Sequence, residues 1–453
     1  MSALVEIRIP DGLGPTLRAH VFASGPYEPV AFALASHATV DGRIVLLVRE
    51  LIPLSADAYE PTAQHGAKWR GRAMLGVLNA ALARRLGVLI FHAHDQTGPV
   101  ALSPDDWQSA AQLLPTFQSL IPDRPHGSVV LGKDRAAGTV LLPGTGECQD
   151  SAVRVQWIGN PLRCSEPSVR PRAATHSPDE TFHRQVLLIG GAGQASLEAT
   201  TVAVVGLCGG GSHVVQQLAH LGVGEIIGID PDQAEIHNRS RMIGLEVADV
   251  RERRLKTDVM ARLVYRINPR VRFTPIPQAV PEPETLAALK RSRIIVGCVD
   301  SLHARADLQA IAWRYLIPYV DIGLRIEQLG REHHDISIGG NVLTLTPGQF
   351  CMWCVGFLSE AKLLADTGGQ PRSYLKNQRA EAQVVSFNGV LASQAVNEVL
   401  NLLTGFASDK RDMGIKKFDG IAGTLMEWKV KQNPQCPICT NELGAGDPVW
   451  RTP

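Results

Sequence analysis

The sequence predicts an α/β domain preceded by an α+β domain, and three observations carry that prediction. Thr201 to Arg241 reads as β-turn-α-β. An apolar β-branched run, Val202 to Val205, enters a glycine cluster at Gly206, Gly209, Gly210 and Gly211. Val214, Val215, Leu218 and Leu221 then recur at helical spacing, and a second apolar strand ends at Asp230. From Phe182 the β-α alternation runs on to about Gly323. Before about residue 155, short apolar strands surround one clear helix, Ala73 to Leu86. Its marks are Leu75, Val77, Leu78, Ala81 and Leu82.

Each element has a local reason. The glycines after the first strand let the backbone approach a phosphate at the helix N-terminus, and Asp230 is placed to hold a ribose. Arg163 to Asp179 is rich in Pro, Ser and Arg without an apolar period, so it reads as a linker. The expected division is therefore 1–160, a linker at 161–180, and 181–453. A mixed segment with Cys351-x-x-Cys354 and Cys436-x-x-Cys439 closes the chain. In a reducing compartment two such pairs read as a closed tetrahedral zinc site. Coincidence or a redox pair is the competing reading. Cys148, Cys164, Cys208 and Cys298 are scattered. Cys208 reads as packing in the glycine turn, and Cys298 as a buried strand thiol.

With 453 residues there is ample core for two or three domains, and a net charge of +1 advertises no nucleic-acid partner. No apolar run reaches the length of a membrane span and no signal-peptide pattern opens the chain, so a soluble cytoplasmic protein is expected.

Asp230-x-Asp232, Asn238, Arg241, Lys256, and Asp300 with Arg305 form an ordered polar series. A dehydrogenase has no use for that Asn, Arg and Lys, whereas a triphosphate does. Phe182 to Cys439 resembles the ThiF/MoeB/ubiquitin-activating (E1-like) adenylyltransferase family, with a Rossmann-like adenylation domain. The resemblance implies that Gly206, Gly209 and Gly211 cradle phosphate and that Asp230 takes the ribose of ATP. It implies that Asn238, Arg241 and Lys256 hold phosphates and that Asp300 binds Mg2+. Arg184 would reach into a partner subunit's site, implying a homodimer. Gln194 matches a position to which no role is assigned. The family's conjugating branch passes its cargo to a cysteine, and Phe357 to Ala395 contains none. There, Ser386 and Asn388 are expected to precede an apolar helix.

The N-terminal domain carries its own pattern. His92-x-His94 ends a strand, and Ser103-x-x-Asp106 opens a helix. Two imidazoles at i and i+2 face one way, and a carboxylate on the next helix can complete a three-ligand zinc site. With Glu28 this resembles the JAB/MPN metalloprotease family. The resemblance implies His92, His94 and Asp106 as ligands of a second Zn2+, Ser103 as a stabiliser and Glu28 as the base that activates water. Glu50 is a rival for Glu28. Asp95 replaces the usual proline, and the spacing to Ser103 is one residue longer than the common form. Incidental histidines in a structural domain are the alternative.

The resulting expectation is ATP-dependent adenylation of the C-terminal carboxylate of a ubiquitin-like protein with a Gly-Gly-type tail. A conjugating enzyme would act downstream, and the JAB-like domain would trim or deconjugate. Activation of a sulfur-carrier protein is the alternative. A dehydrogenase and a non-catalytic scaffold are the readings from other classes.

Overall fold

The computed structural model describes residues 4–25, 27–60, 69–146, 148–168, 179–328, 336–366, 382–407 and 414–449. The chain divides into two compact units. One comprises Met1–Thr175, Trp313–Leu316 and Asn441–Pro453, and the other His176–Ala312 and Ile317–Thr440.

The first unit runs β1 (Leu4–Ile9), α1 (Leu13–Val21), β2 (Ala31–Val40), β3 (Arg43–Pro53), α2 (Gly71–Arg84), β4 (Gly87–Ala93), α3 (Pro104–Leu120), β5 (His126–Leu131), β6 (Arg135–Leu141), β7 (Gln149–Trp157) and β8 (Arg163–Pro167). Its sheet has the order β1-β3-β2-β4-β5-β6-β7-β8, and a further parallel pairing of β1 with β7 closes it on itself. Strand alternation sorts the side chains onto two faces. Ala31, Ala33, Leu89 and Phe91 enter one core, which α1 joins through Leu17. Phe32, Leu34, Val88 and Ile90 enter the other, with Val77 and Ala81 of α2 and Leu114 and Phe117 of α3. His92 continues the second set by parity, so the strand aims it toward the side where α3 begins.

Three expectations change here. On α2, Val77 and Ala81 are buried, but Leu75 and Leu82 are 61% and 42% exposed. Positions 75 and 82 lie seven apart and share the far side of the helix, so the buried stripe is narrower than the apolar count suggested. Within the expected linker, 163–167 is strand β8, which pairs with β6 and β7; the rest of the stretch, 169–178, lies outside the described residues. The C-terminal residues from 441 onward belong to the first unit rather than to the 181–453 block. Asp447 pairs with the β2 backbone, accepting from Thr39 N–H at 2.9 Å and donating its own N–H to His37 C=O at 2.7 Å.

The second unit runs α4 (His183–Glu198), β9 (Thr201–Val205), α5 (Gly209–Leu221), β10 (Glu225–Ile229), α6 (Val247–Arg251), α7 (Lys256–Ile267), β11 (Arg272–Ile276), α8 (Pro283–Arg291), β12 (Ile294–Gly297), α9 (Leu302–Arg314), β13 (Tyr319–Gln328), β14 (Ile336–Leu345), α10 (Glu360–Asp366), α11 (Val385–Thr404), β15 (Ile415–Asp419), β16 (Thr424–Trp428) and α12 (Pro437–Asn441). Strands β11-β10-β9-β12-β13 are parallel, and β14, β15 and β16 extend the sheet antiparallel. The apolar runs of β9, β10 and β12 are buried almost throughout, as a parallel sheet covered on both faces requires. Ser386 and Asn388 sit inside the first turns of α11 rather than before it, because helical backbone already begins at Val385.

A buried acid anchors the amino ends of these strands. Glu225, 3% exposed, accepts Arg291 Nη1 and Nη2 at 2.7 and 2.8 Å and Thr274 Oγ1 at 2.7 Å. Burial raises its pKa, but the hydrogen bonds from Arg291, Thr274 and Arg272 outweigh burial and hold it at about 2. Among the described residues no helix is long and apolar enough to cross a membrane.

Candidate functional site

The carboxyl edge of the parallel sheet gathers most of the polar series. Val205, Ile229 and Gly297 are in register across β9, β10 and β12, so the turns leaving these three strands share one rim. Gly206 comes directly after β9, Asp230 directly after β10, and the turn carrying Asp300 leaves β12. The chain order reverses here, with β10 on one side of β9 and β12 on the other, and such a switch point opens a crevice.

The glycine turn is built for backbone approach. Gly206 has φ +85°, and a Cβ there would lie 2.7 Å from Cys298 C=O. A Cβ on Gly211 would lie 1.8 Å from the Gly206 carbonyl. The turn can therefore hold no side chain at either position, and it presents the N-terminus of the thirteen-residue α5 to the crevice.

Asp230 locks this turn. It is 5% exposed; its Oδ2 accepts Leu207 N–H at 2.8 Å and its Oδ1 accepts Asp232 N–H at 2.9 Å. Lys256, on the first turn of α7 and 6% exposed, places Nζ 2.7 Å from Asp232 Oδ2 and 3.5 Å from Asp230 Oδ1. Burial works to lower the Lys256 pKa, but Asp230 and Asp232 outweigh it and hold it above the ordinary lysine range. Burial raises Asp230 in turn, against Lys256 and the two N–H donors. The lysine is thus a fully charged cation held at the rim by two carboxylates. Asp232, part of the sequence series but given no role there, is the nearer partner.

Asn238 is buried in the short 3-10 turn Ile236–Ser240, where its Oδ1 accepts Glu235 N–H at 3.0 Å. Arg241 is half-buried, and its Nη1 donates to His237 C=O at 3.1 Å. Asp300 is exposed at the tip of the β12–α9 turn. Arg184 is exposed on the first turn of α4. Gln194 is spent on packing within α4: its Oε1 accepts from Gln185 and its Nε2 donates to Glu198.

Below the turn lies a buried network that sequence reading left without a role. Arg305 is 6% exposed and ion-pairs with the fully buried Asp321. Its Nη2 donates to Val299 C=O at 2.7 Å and to Ile322 C=O at 3.0 Å. Tyr319 donates to Asp321 Oδ2 at 2.6 Å. Burial raises the Asp321 pKa to about 6, against Arg305 and the tyrosine hydroxyl. Burial likewise pushes the Cys298 thiol up, in keeping with a structural cysteine. Cys208 stands at the N-cap of α5.

The two cysteine pairs do meet. Cys351 Sγ lies 3.6 Å from Cys354 Sγ and 3.5 Å from Cys436 Sγ, and Cys354 Sγ lies 3.5 Å from Cys439 Sγ. All four sulfurs fall within 4.8 Å of one another. A tetrahedron of 2.3 Å zinc–sulfur bonds has edges of about 3.8 Å, so the four thiols fit a structural Zn2+. Hydrogen bonds from the other thiols, Cys351 foremost, hold Cys439 down to about 5 while Cys351 is pushed up. Four thiols packed this closely cannot ionise together without a cation.

The first unit gathers a second cluster. Donor atoms of Glu28, His92 and His94 lie within 4.8 Å of one another. Asp106 Oδ1 lies 3.3 Å from His92 Nε2, and its Oδ2 lies 3.8 Å from His94 Nε2. Ser103 and Asp106 also form the capping box of α3, with Ser103 N–H donating to Asp106 Oδ2 at 2.7 Å and Asp106 N–H to Ser103 Oγ at 3.1 Å. Burial acts to raise the Asp106 pKa, yet His92 and Ser103 hold it well below the carboxylate range. His92 Nε2 is buried and, although 3.3 Å from Asp106 Oδ1, makes no hydrogen bond of regular geometry, so this nitrogen could serve a cation. The rival Glu50 is ion-paired with Arg84 instead, and Glu28 is the acid beside His92, at 4.0 Å.

A glycine turn, a rim lysine and strand-end acids meet at the switch point of an α/β sheet, the place where open sheets of this kind form their ligand crevices. The ThiF family model matches residues 182–438, more than half of the chain, and the chain belongs to the ThiF family. The molybdopterin-synthase adenylyltransferase of Escherichia coli (strain K12) is 26% identical over 261 residues, 57% of this chain and 95% of that protein. The sulfur carrier protein ThiS adenylyltransferase of the same organism is 24% identical over 262 residues, 57% of this chain and 94% of that one. The SAMP-activating enzyme E1 of Haloferax volcanii is 26% identical over 269 residues, 57% of this chain and 88% of that one. Among solved structures, E. coli MccB with ATP matches 58% of this chain and 74% of that one, at 20% identity and a TM-score of 0.47.

Proposed function

We propose that this protein adenylates the C-terminal carboxylate of a ubiquitin-like or sulfur-carrier protein with ATP. The observation that carries the reading is Lys256: a buried, charged lysine set beside a side-chain-free glycine turn at the sheet's carboxyl edge. Both reactants are anionic, so the site must supply cations before they can meet. A carboxylate oxygen of the carrier tail forms a bond to the α-phosphorus while the bond to the pyrophosphate oxygen breaks, and pyrophosphate leaves. The amide groups at the start of α5, with Lys256, Arg241 and Asn238, hold the phosphates and take up the charge. Lys256 exchanges Asp232 for phosphate as its partner, and Asp230 keeps the turn in shape while facing the ribose. Mg2+, held by Asp300, would neutralise phosphate charge. Arg184 would act from a second copy, making the working form a homodimer.

The pathway has two readings. Relatives named for molybdopterin synthase and ThiS favour sulfur-carrier activation, and the absence of cysteine from Phe357 to Ala395 agrees. A conjugation pathway with a conjugating enzyme is favoured by the cluster in the first unit, where Glu28, His92, His94 and Asp106 suit Zn2+ and an isopeptidase of the JAB/MPN kind. When bound there, Zn2+ would polarise the scissile carbonyl and water, and Glu28 would take the proton.

The test is ATP–pyrophosphate exchange with a purified carrier ending in Gly-Gly. Exchange that requires the carrier and is lost in Asp300→Ala supports the proposal. Turnover of NADH, or carrier-independent exchange, overturns it.

A further inference from the structure

The turn that presents Asp300 is four residues long, 298–301, and it is held from two directions. Beneath it, Arg305 grips the Val299 carbonyl at 2.7 Å. From the side comes α10, about sixty residues on in the chain. Its last residue, Asp366, accepts the Leu302 N–H at 3.0 Å and the Ser301 hydroxyl at 3.4 Å through Oδ2. One turn back, the Leu363 carbonyl faces His303 Nε2 at 3.0 Å. Leu302 is the first residue of α9, whose opening N–H groups have no partner inside the helix. Ser301, just before the helix, caps it locally, its Oγ accepting from Ala304 N–H at 3.4 Å; the distant Asp366 carboxylate adds a second acceptor, for the Leu302 N–H that this cap leaves over. The neighbour of that cap is Asp300, which is exposed.

We infer that Asp366 is a positioning residue for Asp300. By capping α9 from α10, it sets the path of residues 300–302 and so the direction of the Asp300 carboxylate, while Arg305 forms the rigid floor. This rests on the reading of Asp300 as the Mg2+ ligand. It adds that α10 is part of the machinery orienting that ligand, although Asp366 touches neither nucleotide nor metal.

Calorimetric titration of ATP, with Mg2+ and with EDTA, tests it on the full chain. The wild type is expected to bind ATP more tightly with Mg2+, and Asp300→Ala to lose that enhancement. Asp366→Ala should reduce the enhancement about five-fold, the scale of a lost helix cap, and leave affinity in EDTA unchanged. Asp366→Asn keeps an acceptor oxygen and should restore most of it, and it serves where the alanine variant folds poorly. In an Asp300→Ala background, Asp366→Ala should have no further effect. Equal weakening with Mg2+ and EDTA, or an unchanged enhancement in Asp366→Ala, would overturn the inference while leaving Asp300 as the ligand. Retention of the full enhancement in Asp300→Ala would remove the Mg2+ reading and this inference with it.

Discussion

The two polar centres solve opposite electrostatic problems. In the crevice of the second unit the cation is part of the chain: Lys256 stands between Asp232 at 2.7 Å and Asp230 at 3.5 Å. Its charge is balanced until an anion competes for it. In the first unit the acids and imidazoles are present and, among the described residues, no lysine or arginine pairs with them; His92 Nε2 is buried with no hydrogen bond of regular geometry. On the proposed function, the first arrangement would take a negatively charged ligand and the second a positively charged one. The difference teaches that the same residue types, carboxylates placed at strand and helix ends, serve phosphate chemistry or metal chemistry according to whether a lysine reaches them.

The cysteine cluster gives the sharpest contrast with both. Replacing Cys436 with Ser should remove one Zn2+ per chain by metal analysis and destabilise the second unit by on the order of several kcal/mol. His92→Ala should remove a different Zn2+ with a much smaller change in thermal unfolding. A double variant that loses only one Zn2+ per chain would mean a shared site. The crevice breaks differently. Lys256→Ala should lower pyrophosphate exchange about 100- to 1000-fold, the scale of one lost charge-stabilising group, while both metals stay bound.

Stability against pH separates the binding rim from the anchor at the other end of the strands. The Glu225 pKa, at about 2, lies below its unfolded value. Its stabilisation is therefore present above the unfolded glutamate pKa and is lost as pH falls toward 2. Glu225→Gln should cost on the order of 2 kcal/mol near neutrality and flatten the acid limb of the stability profile between about pH 5 and pH 2. An unchanged acid limb would remove Glu225 as its source.

Local chemistry was legible in the sequence, and long-range pairing was not. The β9–α5–β10 unit is announced by consecutive residues, since a strand, a glycine turn and a helix period need nothing from elsewhere. The cysteine pairs are equally plain, because two-residue spacing is itself the ligand geometry. Glu28 and Glu50 could not be separated, since each adjoins an apolar strand; only the sheet shows Glu50 taken by Arg84. Arg305 with Asp321, sixteen residues apart, is invisible to periodicity. Strand β8 was hidden by the prolines and arginines of the stretch it opens, and the docking of Asp447 on β2 joins positions 408 residues apart. The smallest expected effect sharpens the choice of acid. Glu50→Gln should leave metal content and hydrolysis of a ubiquitin-like fusion unchanged, whereas Glu28→Gln should abolish hydrolysis.

The most direct test measures carrier-dependent pyrophosphate exchange in two variants side by side. With His92 and His94 both replaced by alanine, exchange should run at the wild-type rate; with Asp300 replaced by alanine it should vanish. Exchange that survives in Asp300→Ala, or that falls together with the histidines, would contradict a nucleotide crevice confined to the carboxyl edge of β9, β10 and β12.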